Sequence, residues 1–455
     1  MSRAIDIVVL AAGRGSRMRS AKPKVLHPLA GQPMIEHVLA ATQGFDNAST
    51  VVVSGHGAEQ LEAALADYSV NFARQQQQRG TADAVATALD QLREESVVLV
   101  LYGDVPLIEA DTLHRLVAQV SSTQMALLTV SLQHPDGYGR ILRNDAASVT
   151  GIVEHKDATA EQRNICEVNT GVLAIEATQL RQLLPRIGCD NAQGEYYLTD
   201  LIELAVASGI TIAVTQPKNA SEVEGVNDRI QLARLERIYQ RRQADLLLDA
   251  GATLADPDRF DLRGTVTVGE DVFIDINVLL EGDNQIGNNV VIGPHCHLID
   301  AVIGDNVTLK SHTIVEQSEI GADSVVGPFA RLRPGTQLAE GCKIGNFVET
   351  KKVTLGSGSK INHLSYVGDA ILGSGVNVGA GTITCNYDGV NKHQTIIGDR
   401  AFIGSNSALV APVNIGAGAT VGAGSTIARD VDADKLALTR AKQMTVPGWK
   451  KPIKQ

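Results

Sequence analysis

The sequence is poor in aromatic residues: Phe, Tyr and Trp make up 4% of its 455 residues, and Trp449 is the one tryptophan. Cysteine is scarce and odd in number, with Cys166, Cys189, Cys296, Cys342 and Cys385 forming no C-x-x-C pair. That argues against a disulfide framework or a cysteine zinc site and suits a reducing compartment. No apolar run approaches the ~20 residues a membrane span needs. The opening run from Ala4 to Leu10 holds Asp6 and is followed by arginines, whereas a signal peptide carries its charges first. Excess positive charge is also missing: 40 Lys and Arg stand against 51 Asp and Glu, a formal net charge of −11. This argues against a nucleic-acid scaffold held by bulk charge. The expectation is a cytoplasmic globular protein, and the length favours two or three folding units.

What is present is unevenly spread. Of 43 glycines, 26 lie in residues 264–455. Residues 1–226 alternate strand-like runs (Ile5–Leu10, Thr50–Ser54, Val97–Tyr102) with helix-like ones (Met34–Thr42, Glu59–Leu65, Ala82–Leu92). That is the pattern of a parallel sheet covered by helices, an α/β Rossmann-like domain with ligands beyond the carboxyl ends of its strands. Asp228–Asp249 reads as one long charged helix closed by Gly251. From Val268 the period becomes six: Val268, Ile274, Leu280, Ile286, Ile292, Leu298, then Ile320 to Ile344, then Ile397 to Ile427. A hexapeptide repeat predicts a left-handed parallel β-helix with the aliphatic residue stacked inside. Residues 384–396 break the phase and must loop out, either as a tolerated excursion or as a binding surface. The expected domains are 1–227, a helical linker 228–250, and a β-helix with its tail over 251–455.

The loop Gly13-Arg14-Gly15 follows the first strand. Its glycines suit close approach of phosphate oxygens to backbone N–H groups, although a plain tight turn fits G-x-G as well. Walker and dinucleotide motifs both fail here, since no Gly-Lys-Ser/Thr follows and Met18 stands where a third glycine belongs. Arg14, Arg17, Arg19, Lys22 and Lys24 crowd this turn, which favours an anionic ligand.

Together with Pro23-Lys24, the run Leu10-x-x-Gly13-x-Gly15-Ser16-x-Met18 resembles the signature of sugar-phosphate nucleotidyltransferases. Adding Tyr102-Gly103-Asp104-Val105-Pro106, Gly151-Ile-Val-Glu154-His-Lys, Asn169-Thr-Gly and Gly194-Glu-Tyr-Tyr-Leu-Thr-Asp, the chain is similar to a bacterial family. Its members are bifunctional N-acetylglucosamine-1-phosphate uridylyltransferases and glucosamine-1-phosphate N-acetyltransferases. The resemblance implies UTP and UDP-sugar contacts from Leu10, Ala11, Ala12, Gly13, Lys24, Tyr102 and Gly103. Uracil would sit on Gln75 with Gly80 and Thr81, the run Gln75–Gln78 leaving the choice of glutamine open. Gly139, Glu154 and Asn169 would grip the sugar phosphate, and Asp104 and Asn227 would hold Mg²⁺. Asp104 also suits a hard cation on its own terms, as an oxygen ligand at a strand end. Asn227 reads equally as the N-cap of the long helix.

Acetyl transfer from a thioester to an amine needs a base near neutral pH, and histidine is the default. The second half has His295, His297, His312, His363 and His393, and the residues alone do not choose among them. The resemblance selects His363. It implies Arg333, Lys351, Tyr366 and Asn377 for glucosamine-1-phosphate, and Ala380, Asn386, Tyr387, Ser405, Ala423 and Arg440 for acetyl-CoA. Asn386 and Tyr387 lie in the stretch that breaks the repeat. Residues 435–455 carry six cations and no acid, which favours approach of a polyanionic coenzyme, although a solvated tail is the alternative and the better reading of Lys451 and Lys454. The resemblance also implies a homotrimer with small-molecule substrates and no nucleic-acid or membrane partner. The alternatives are a monofunctional nucleotidyltransferase with a structural or regulatory β-helix, and a non-catalytic assembly protein.

Overall fold

A computed structural model describes residues 3–454. Its contacts divide the chain into two compact units, Met1–Tyr239 and Gln240–Gln455. The division falls within a helix, Arg229–Asp249.

In the main sheet of the first unit the strands are β1 (Ala4–Leu10), β2 (Ala48–Ser54), β3 (Asn71–Arg74), β4 (Ser96–Tyr102) and β5 (Gln124–Ser131). They continue with β6 (Arg140–Arg143), β7 (Val149–Val153), β8 (Glu167–Glu176) and β9 (Thr211–Thr215). The path through the sheet is β9-β5-β8-β4-β1-β2-β3, with the β6–β7 hairpin attached to β8. Successive residues of β1 enter opposite cores: Ile5, Ile7 and Val9 pack in one, Val8 and Leu10 in the other. A strand buried on both faces reads as the unbroken apolar run seen in the sequence. The sheet is not wholly parallel, however. β8 runs antiparallel to both β4 and β5, and its register slips between Asn169 and Leu173. Gly171 sits in that slip with φ 86°, and a Cβ there would lie 2.5 Å from the Tyr102 ring. The Asn169 side chain closes the irregularity, its Oδ1 accepting the Gly171 N–H at 3.0 Å, as at a β-bulge. Strand direction has no signature in an apolar run, so the sequence pattern did not distinguish it.

The second unit is a stack of short parallel strands. One face of eleven strands runs from Thr253–Leu254 to Leu436–Ala437, every neighbouring pair parallel. The periodic residues face inward: Ile274, Leu280, Ile292 and Leu298 are fully buried, as are Val326, Leu332, Ile403, Leu409 and Val421. The looped-out segment lies between Ile383–Cys385 and Thr395–Ile397. Asp388 anchors it by accepting the backbone N–H of Val390 and of Asn391 at 2.8 and 2.7 Å, with the His393 ring 2.7 Å away. These bonds, led by that from Asn391, pull the Asp388 carboxyl down to about 2.

Candidate functional site

In the first unit, β1 and β4 end side by side, with Gly103 N–H donating to Leu10 C=O at 3.0 Å. A cleft of about 240 Å³ opens there. Its lining includes Leu10, Ala11, Ala12, Gly13, Lys24, Gln75, Gly80, Thr81, Tyr102 and Asp104. Gly15 takes φ 57°, and a Cβ on it would meet Lys24 Cβ at 2.6 Å. The second glycine of the loop is therefore required so that Lys24 can reach the cleft. Gly80 is equally constrained, with φ 129° and the Tyr196 carbonyl oxygen 2.4 Å from a Cβ position.

Lys24 Nζ pairs with Asp104 Oδ2 and lies 3.5 Å from Asn227 Oδ1. Arg17 Nη2 donates to the same Asn227 oxygen at 2.9 Å. Asn227 is not the helix cap. Asp228 takes that role, its Oδ1 accepting the N–H groups of Ile230 and Gln231 at 2.9 Å each. Two hard oxygens from distant parts of the chain thus converge on one ammonium, which stands in for a cation. Among the described residues no group of three or more His, Cys, Asp or Glu gathers into a closed metal site. A pair of oxygens suits magnesium, which keeps waters and shares substrate phosphates.

Two glutamines of the run reach the cleft. Gln75 is buried and donates to Gly80 C=O at 3.2 Å and Asp83 Oδ2 at 2.8 Å. Gln78 also lines the cleft and accepts from Arg14 Nε at 3.3 Å. Gln76 and Gln77 point outward.

Gly139, Glu154 and Asn169 form a second group beside the first. Asn169 N–H donates to Gly139 C=O at 2.8 Å, and a Cβ on Gly139 would lie 3.4 Å from Glu154 Oε1. Burial raises the Glu154 carboxyl, against the Thr199 hydroxyl that donates to it at 3.1 Å. Tyr102 joins the two groups: burial, then the charges of Asp104 and Glu154, push its phenol upward. Sequence reasoning missed Glu195 and Thr199 beside these groups, while Gln78 was within the run left open. Both missed residues lie in the Gly194-to-Asp200 motif, which was the available signal.

In the second unit, His363 ends the strand Lys360–His363, opposite Asn346. Its Nδ1 lies 2.8 Å from Asn346 Oδ1. An amide oxygen accepts only from N–H, so in the neutral ring this contact calls for the proton on Nδ1 and leaves the Nε2 lone pair free. The other histidines are engaged differently. His295 and His312 stack in a ladder with Phe329 and Phe347, His297 bonds Glu281, and His393 bonds Asp388. Arg333 donates to Glu349 at 2.8 Å, and Glu349 registers beside Tyr366. Asn386 is buried, with its amide on Asp369 and 3.5 Å from the Tyr366 hydroxyl. Tyr387 is exposed, its hydroxyl on Gly389 C=O at 2.5 Å. Lys351 meets Lys392 of the looped-out segment, and that contact, ahead of desolvation, lowers its pKa; Arg333 adds to the lowering. Lys392 and Asp369 were not expected from sequence, although Lys392 lies within the phase break. Three cations crowded together are suited to an anion.

Ala380, Ser405, Ala423 and Arg440 climb one edge above His363. Gly381 N–H reaches His363 C=O at 3.3 Å, Asn406 N–H reaches Ala380 C=O at 2.7 Å, and Gly424 N–H reaches Ser405 C=O at 2.8 Å. The Arg440 side chain closes the column beside Gly422 and Gly424. Asn377 is brought only to the same face, opposite Lys360 and three positions from His363.

Among the described residues, no helix is long and apolar enough to cross a membrane. Residues 7–165 match the MobA-like NTP transferase domain, 262–340 the GMPPB C-terminal domain, and 394–429 the hexapeptide repeat of succinyl-transferase. A chain from Marinobacter nauticus is 56% identical over 450 residues, covering 99% of each sequence. One from Cellvibrio japonicus is 58% identical over 451 residues, covering 99% of this chain and 100% of the relative. Both bear the name bifunctional protein GlmU. The chain belongs to this GlmU family of bifunctional enzymes, which unite a uridylyltransferase with an acetyltransferase.

Proposed function

We propose that the second unit acetylates glucosamine-1-phosphate from acetyl-CoA, and that the first then transfers uridylyl from UTP to the product. N-acetylglucosamine-1-phosphate attacks the α-phosphorus, and UDP-N-acetylglucosamine and pyrophosphate leave. The attacking phosphate oxygen is anionic at neutral pH, so no general base is needed and the work is positioning and charge neutralisation. The 10–13 loop and Lys24 bind the triphosphate, Gln75 with Gly80 and Thr81 the base, and Gly139, Glu154 and Asn169 the sugar. Asp104 and Asn227 would hold magnesium, which supplies charge neutralisation on the phosphates. The observation that carries this reading is the meeting of the Asp104 and Asn227 oxygens at one ammonium beside the cleft.

In the acetyl transfer, His363 Nε2 takes the proton the amine must lose as it attacks the thioester. Arg333 and Lys351 hold the sugar phosphate. Ala380, Asn386, Tyr387, Ser405, Ala423 and Arg440 bind the coenzyme. A flat-sided stack of coils has few pockets of its own, so these sites are completed by neighbouring chains of a homotrimer.

The test mixes purified protein with glucosamine-1-phosphate, acetyl-CoA, UTP and Mg²⁺ and weighs the products. His363→Ala is expected to lower acetyl transfer by about 100-fold or more while uridylyl transfer persists. Asp104→Ala should do the reverse. Loss of both activities in either variant, or of neither, would contradict the division of labour.

A further inference from the structure

Arg140 is the largest fully buried side chain among the described residues, with 0% of its surface exposed. It forms no ion pair among the described residues. Its guanidinium donates to Tyr138 C=O through Nη1, and through Nη2 to His155 Nδ1 at 3.4 Å and Arg163 C=O at 3.3 Å. Nε is buried without a partner. A guanidinium stays charged at any ordinary pH, and burying it without a carboxylate is costly. An apolar side chain of similar volume would serve stability better, so stability does not account for this residue.

Its neighbours suggest what does. Arg140 follows Gly139, pairs with Val153 across the hairpin and registers opposite Val168. His155 follows Glu154, and Arg163 lies in the short helical turn Gln162–Asn164 near the far end of the connection that Glu154 begins. The guanidinium therefore fastens both ends of the 154–163 segment to the strand that follows Gly139. Within the segment Asp157 and Ala158 N–H bond Glu154 C=O at 3.0 and 2.9 Å, and its other outward ties run to one stretch, through Lys156 on Gln193, Asp157 on Ala192 N–H and Glu154 on the Thr199 hydroxyl. We propose that Arg140, with His155 as its acceptor, is a positioning residue that fixes Glu154 relative to Gly139 and Asn169 for the sugar phosphate. This rests on the assignment of those three residues to the sugar given above.

The test measures KM for N-acetylglucosamine-1-phosphate and for UTP separately in the full-length enzyme. The variants are Arg140→Met, Arg140→Lys, His155→Leu and His155→Gln, with Glu154→Ala as reference. Acetyl transfer by the same chain reports folding of the remainder. Loss of the strap is expected to raise the sugar-phosphate KM about tenfold in Arg140→Met, since small misplacements of a substrate are expensive in rate. The UTP KM should stay within about twofold. Arg140→Lys should recover part of the loss. His155→Leu should show a smaller rise of the same kind, and His155→Gln, which keeps an acceptor, should cancel it. Should Arg140→Met fail to fold, the two His155 variants decide. Equal movement of both KM values would overturn the proposal and leave Arg140 a plain core residue. So would a raised sugar KM in Glu154→Ala alone. An unchanged sugar KM in Glu154→Ala would remove the sugar-site assignment itself, and the proposal with it.

Discussion

Single side chains in this protein are set by what surrounds them more than by their type. Glu154 is the plainest case. Burial lifts its pKa, so the folded state penalises the ionised form that the unfolded chain adopts freely. Stability from this group is present below the ordinary carboxylate value and falls as pH rises through the raised one. Glu154→Gln is expected to raise the melting temperature at pH 7–8, to leave it unchanged near pH 4, and to weaken sugar-phosphate binding. Calorimetry at the two pH values, with kinetics beside it, checks this. His363 depends on Asn346 in a different way: a neutral amide orients the ring without adding a charge that would hold the proton. Asn346→Leu should lower kcat for acetyl transfer by about tenfold or more and leave uridylyl transfer alone. Neither dependence was visible beforehand. His363 was singled out by resemblance, whereas Asn346 lies seventeen positions upstream, and only the stacking of coils brings the two together.

At the scale of elements, the coils of the second unit carry one aliphatic residue per face into a shared interior. Leu409 is fully buried in that stack, and Leu409→Ala should cost about 2–5 kcal/mol, since neighbouring coils cannot close around the space. Denaturant unfolding measures it. This architecture was legible because its period of six matches neither a helix nor a free strand, and the departures from it marked the looped-out segment as well. The tight turn after β1 was legible for another reason: Gly15 takes a left-handed backbone against Lys24, and only glycine does so freely. Strand direction was not legible. β8 runs antiparallel and slips between Asn169 and Leu173, and an apolar run carries no mark of which way its neighbours point.

For the molecule as a whole, the formal charge of −11 conceals a basic tail, since residues 435–455 hold six cations and no acid. Attraction of the coenzyme's phosphates to that tail should be screened by salt. Raising ionic strength from about 50 mM to about 500 mM is expected to raise the KM for acetyl-CoA several-fold. Removing residues 441–455 should flatten that dependence, and initial-rate kinetics at several salt concentrations check it. The order of the two halves, the change of period and the ligand-rich ends of the strands follow from local pattern, because backbone preference and hydrophobic spacing act over a few residues. The pairings that make the sites do not. Asp104 with Asn227, His363 with Asn346, and Arg140 with His155 join residues whose separation in the chain says nothing of their distance in space. Those juxtapositions were decided by the tertiary structure: strand register stacks His363 beside Asn346, and closure of the sheet brings Asp104 and Asn227 to one ammonium, which no local pattern encodes.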